Sequence, residues 1–141
     1  MNTYAMWFRW AVFLGILQDF VVGLPGVFFP NGVLEYVDQP PAPDPIWIAF
    51  ACLILVLLGT FYIFGAIDPF RYRPLAIFTV VARAAGVVFF FFLYRGWFPD
   101  WFGYVDLVLT LLQGSLLFLA LRAGPERVPP TGAVQHAVVG R

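Results

Sequence analysis

Six polar side chains sit inside otherwise apolar stretches: Gln18 and Asp19, then Arg83, then Asp106, Thr110 and Gln113. Two carboxylates and a guanidinium can form an ion pair, hold a proton or an ion, or grip a polar headgroup. They do not make a hydrolase, because no nucleophile and base accompany them. An ionisable side chain at mid-bilayer costs about 2.5–3.5 kcal/mol by insertion scales, so each one needs a reason to be there. Depth supplies one. At about 1.5 Å per helical residue, Asp19 lies roughly 18 Å beyond Trp7, and Arg83 roughly 13 Å beyond Pro74. The depths agree within the reach of an arginine, so the two can pair if their helices are neighbours. Asp106, Thr110 and Gln113 are spaced i, i+4, i+7 and share one helical face. Counted back from Arg122, Gln113 lies roughly level with Arg83, whereas Asp106 falls near ~24 Å, at the outer interface, and reads as an interfacial cap. Gln18, Asp19, Arg83 and Gln113 are therefore expected to meet in one inward-facing network, and all six residues, with Asp106 and Thr110, make up the expected intramembrane polar network. Its first reading is structural, fixing helix register and the choice of neighbours. A proton, ion or headgroup site is the functional alternative, and a third possibility has Arg83 snorkelling inward or pairing with another subunit.

The elements that must position these groups are membrane spans. Hydrophobic residues make up 62% of the chain and charged residues 11%, against about a quarter charged in soluble domains. Four segments reach the roughly 20 apolar residues that a spanning helix needs: about 7–29, 46–67, 75–94 and 101–121. Trp7, Trp10, Trp47, Trp97 and Trp101 gather at their ends, where indole favours the headgroup region. Gln18 and Asp19 interrupt the first span and no Ala-x-Ala site follows it, so it reads as retained rather than as a cleaved signal. The expected fold is an all-α integral membrane four-helix bundle, a single domain over 1–122, followed by a cytoplasmic tail over 123–141. Arg9, Arg71, Arg73, Arg83, Arg122, Arg127 and Arg141 fall on or nearest one side and only Arg95 on the other, which places both ends in the cytoplasm.

The connections differ. Asp68–Pro74 and the stretch before Trp101 are short turns, making spans two, three and four antiparallel neighbours. The outer loop 30–45 carries Pro30, Pro40, Pro41, Pro43 and Pro45 with Glu35, Asp38 and Asp44, a composition that favours extended chain, either as a solvated tether or as a strap on another protein. The tail, with Pro125, Pro129 and Pro130, has no helical periodicity. Gly15, Asp19 and Gly23 at four-residue spacing, and Ala82, Ala84, Ala85 and Gly86 around Arg83, mark close helix contacts. Pro25-Gly26 is placed to kink or end the first helix, and Phe89–Phe92 is packing or lipid-facing bulk.

Several chemistries are excluded. All basic residues are arginine, so lysine Schiff-base chemistry has no amine to use. His136 is the only histidine and lies in the tail, so a bis-histidine haem or an intramembrane histidine metal cluster cannot be built from this chain alone. The lone Cys52 can form no internal disulfide and reads as a small packing residue. No cofactor is expected. A formal net charge of zero gives no reason to expect nucleic acid as a partner.

With Arg9 before the first span, Gly15 and Gly23 within it, then a longer outer loop and three closely connected spans, the chain resembles the DoxX-like small four-span bacterial membrane proteins. That resemblance implies an inner-membrane bundle and, for some such proteins, quinone or sulfur redox chemistry. In that pattern a lysine usually follows the second glycine; here Leu24-Pro25 stands in its place, and Asp19 is an additional charge. The resemblance supports fold rather than activity. The expected function is a non-catalytic accessory or assembly subunit of a larger bacterial inner-membrane complex, in contact with lipids and with other membrane subunits. The alternatives are a small transporter or ligand-binding bundle using Asp19 and Arg83, and a quinone-linked redox protein.

Overall fold

A computed structural model describes residues 2–96 and 98–125. Among these residues there are five α-helices: α1 (Thr3–Phe28), α2 (Pro30–Tyr36), α3 (Ile46–Ile67), α4 (Arg73–Val88, widened over Phe89–Leu93 into a π-helical turn) and α5 (Trp101–Ala123). Four are long and apolar enough to cross a membrane: α1, α3, α4 with its π turn, and α5. The boundaries follow local chemistry. Asn2 caps α1, its Oδ1 accepting from the Ala5 N–H at 2.8 Å. Pro74 stands in the first turn of α4, where a missing N–H costs nothing. In the turn before α4, the Asp68 carboxylate accepts from the N–H groups of Phe70 and Arg71. Thr60 and Thr79 return their hydroxyls to the carbonyls of Val56 and Leu75, so neither needs water.

Helix α1 packs against α3 and α5, and α4 packs against the same two, so α1 and α4 stand at opposite corners of a four-cornered bundle. Asp19 and Arg83 do meet, but across the diagonal, so their pairing does not need the neighbouring helices that depth alone suggested. Helix α3 and α4 approach so closely that a Cβ on Gly65 would sit 2.8 Å from the Ala76 nitrogen. At one end of the bundle Asn2 also donates from Nδ2 to the carbonyls of Ala120 and Gly124, at 3.0 and 2.7 Å, tying the start of α1 to the end of α5. The half next to this tie is an apolar core built from Phe8, Val12, Ile16, Tyr62, Ala66, Ala76 and Leu117.

The other half is more open, and two expectations change there. Residues 30–45 are not extended throughout, because 30–36 form α2. Pro30 falls in its first turn, a position that tolerates proline, and the chain leaves helical conformation only after Tyr36, with Asp38 at φ 57°. Pro25 does not end α1, which runs on to Phe28. The π turn brings Phe90 and Phe91 onto α5, where they meet Phe102 (stacked, 5.5 Å between ring centres) and Tyr104 (edge-on, 5.1 Å). Phe92 points outward at 77% exposure, as bulk for lipid. Trp7, Trp10, Trp47 and Trp101 are all exposed near helix ends; Trp97 and the tail from residue 126 onward, with Arg127, Pro129, Pro130, His136 and Arg141, lie outside the described residues.

Candidate functional site

Arg83 crosses the bundle axis from α4 and is 6% exposed. Nη2 donates to Asp19 Oδ2 at 2.6 Å and to the Gly15 carbonyl at 2.8 Å, while Nη1 donates to Asp106 Oδ1 at 2.9 Å. A longer bond, 3.4 Å, runs from Nη1 to Gln18 Oε1. One guanidinium thus joins α1 to α5 through two carboxylates, each a charge-assisted bond. Arginine suits this place because its planar fork reaches several acceptors at once and it stays charged in apolar surroundings.

The small residues nearby make room for that fork. A Cβ on Gly15 would stand 2.9 Å from Arg83 Nη2 and 3.1 Å from Gln113 Nε2, so glycine here leaves both side-chain tips room to converge on α1. A Cβ on Gly86 would collide with the Asp106 carboxylate. Gly23 serves packing alone, facing Val56 and the Cys52 carbonyl of α3. Cys52 is buried against Gly26, a packing role.

Of the six expected residues, Gln18, Asp19, Arg83 and Asp106 form one hydrogen-bonded centre. The reading of Asp106 as an interfacial cap is therefore corrected, since it is a direct partner of Arg83. Gln113 is fully buried and donates from Nε2 to the Ala11 carbonyl at 3.0 Å; it lies beside the guanidinium without a bond to it. The Thr110 hydroxyl, Gln113 Oε1 and Arg83 Nε are buried and have no hydrogen-bond partner among the described residues. Among the described residues no group of three or more histidines, cysteines and acids could hold a metal ion. Sequence reasoning missed Tyr62 of α3, which is buried within electrostatic range of all three charges, and the Gly15 carbonyl, which as a backbone group leaves no mark in a sequence.

A lateral groove of about 1000 Å³ opens between α1, α2 and α5, large for a ligand site. Its walls are Leu14, Leu17, Val21 and Val22 of α1, Gly32, Val33 and Tyr36 of α2, and Trp101, Tyr104, Val105 and Val108 of α5. Gln18 also lines it. This one side chain lines the groove and puts its oxygen on Arg83, linking an apolar surface to the buried charges. No family model matches the chain, and neither a curated protein nor a solved structure matches it.

Proposed function

We propose that this chain is a small ligand-binding membrane bundle. An amphipathic molecule with a hydrogen-bonding head enters from the lipid, lays its apolar body between α1, α2 and α5, and presents its head to Gln18. The carrying observation is that Gln18 both lines the groove and bonds Arg83, at a length where the bond is weak and easily exchanged for a ligand's. An apolar cleft with one or two placed polar groups is the usual make-up of a small-molecule site. Within this reading both termini are cytoplasmic and the membrane is a bacterial inner membrane. Supporting this, Arg9, Arg71, Arg73 and Arg122 belong to the end where Asn2 meets α5, and Arg95 to the opposite end.

A diazirine-bearing long-chain alcohol tests the reading in native membranes. Photolabelling is expected to concentrate on Val22, Val105 and their neighbours and to fall in a Gly32→Leu variant. Gly32 lines the groove, and a Cβ there meets only Phe29 Cβ, at an ordinary 3.7 Å, so the position has room for a side chain to start and to reduce the groove. Labelling spread evenly over the lipid-facing surface of all four long helices would refute it. The accessory-subunit role is a separate proposal. It rests on the proline-rich stretch 40–45, which lies outside the helices and exposes Pro40, Pro41, Pro43 and Asp44. Co-purification of other membrane subunits at fixed stoichiometry in mild detergent tests that role.

A further inference from the structure

The Arg83 centre sets two carboxylates against one guanidinium. A guanidinium does not lose its proton in proteins, so its charge is fixed. With both acids ionised the centre carries a net −1, and with one protonated it is neutral. Asp19, Arg83 and Asp106 are 2%, 6% and 8% exposed, so a net charge here is shielded from bulk solvent and costly to hold. The other polar groups facing the centre cannot balance it. Gln18 of α1 and Thr110 and Gln113 of α5 are neutral, and Tyr62 of α3 is a phenol, whose proton is lost in water only near ~10. Each acid gives one oxygen to Arg83, Asp19 through Oδ2 and Asp106 through Oδ1, which leaves the second oxygen of either one to carry a proton.

A second observation points the same way. Arg83 Nε, Thr110 Oγ1 and Gln113 Oε1 are buried without partners among the described residues, although buried polar atoms are nearly always bonded. Each is a group that an internal water satisfies. Asp106, Thr110 and Gln113 also follow one stripe of α5, leading from the carboxylate along the bundle interior.

We propose that Asp19, Arg83 and Asp106 form a binding site for a single exchangeable proton, shared by the two carboxylates, and that Gln18 couples its exchange to occupancy of the groove. The coupling rests on the groove reading; the proton site itself does not. A ligand head that takes the Gln18 amide releases its bond to Arg83, which shifts the guanidinium between its two acids and changes how tightly the proton is held.

Infrared spectroscopy on the full chain in nanodiscs, from about pH 5 to about pH 9, reads the C=O stretch of a protonated carboxylic acid directly. One such band, equivalent to one acid per chain, is expected in the native protein. It should vanish in Asp19→Asn and equally in Asp106→Asn, because the remaining carboxylate then neutralises Arg83 by itself. A native protein without the band across that range, or a band that survives in both variants, overturns the site. Should one Asn variant fail to fold, the other decides. Adding dodecanol should shift the band in the native protein and not in Gly32→Leu. A groove that labels with the alcohol while the band stays fixed overturns the coupling. A groove that does not label, with the band behaving as expected in both Asn variants, refutes the ligand reading and the coupling and leaves the proton site standing.

Discussion

Removing the positive charge and removing one negative charge at the Arg83 centre should have very unequal costs. Arg83→Met strands Asp19 and Asp106 together in a buried site, and breaking a buried pair costs about 3–5 kcal/mol. Asp19→Asn removes one of the two acids but leaves Arg83 held by Asp106 at 2.9 Å. That variant loses only the difference between a charge-assisted and a neutral hydrogen bond, about 1 kcal/mol. The two residues alone therefore do not close the account. Asp19→Asn with Arg83→Met still leaves Asp106 buried without a cation, so the double variant should recover only part of the loss. Adding Asp106→Asn, which keeps the side-chain size that Gly86 accommodates, removes the last orphan charge and should bring stability to within about 1–2 kcal/mol of the native chain. Reversible unfolding in mixed micelles of rising SDS fraction, followed by circular dichroism, measures each variant. Equal damage from Asp19→Asn and Arg83→Met, or strictly additive damage through the series, would refute the three-residue centre.

Other positions carry their own outcomes. Gly15→Ala pushes a methyl onto Arg83 Nη2 and should destabilise by about 1–3 kcal/mol, whereas Gly114→Ala, whose Cβ would lie 3.4 Å from Val80 Cγ1, should stay within about 0.5 kcal/mol in the same unfolding assay. Asn2→Ala removes a helix cap and the tie to α5, about 1–2 kcal/mol, and hydrogen exchange should quicken in the first turn of α1 and the last turn of α5 alone. With Cys52 replaced by alanine, a cysteine at Gln39 should react with an impermeant thiol reagent added outside and one at Arg71 should not; the reverse pattern inverts the proposed orientation.

The spans were legible because bilayer thickness fixes helix length, and 46–67 coincides with α3. Helix depth also brought Asp19 and Arg83 together, though it could not show that their helices are diagonal, since contact order within a bundle is not written in hydropathy. Asp106 was misplaced for a related reason. Counting residues from each helix end assumes level ends and upright helices, while real spans tilt and an arginine reaches well beyond its own turn. Asp106 stacks over Gly86, less than one turn beyond Arg83, and that glycine was the readable hint. Helix α2 was hidden by proline density, because the same residue breaks a helix interior and suits its first turn. The groove could not be foreseen at all, as it depends on where α2 comes to rest against α1 and α5.

Native mass spectrometry of the chain released from its own membrane tests the central claim most directly. One amphipathic molecule is expected to be retained per chain, lost from Gly32→Leu and held more weakly by Gln18→Leu. A native chain that emerges with no bound amphiphile, or a Gly32→Leu variant that retains the same molecule in the same proportion, would contradict it.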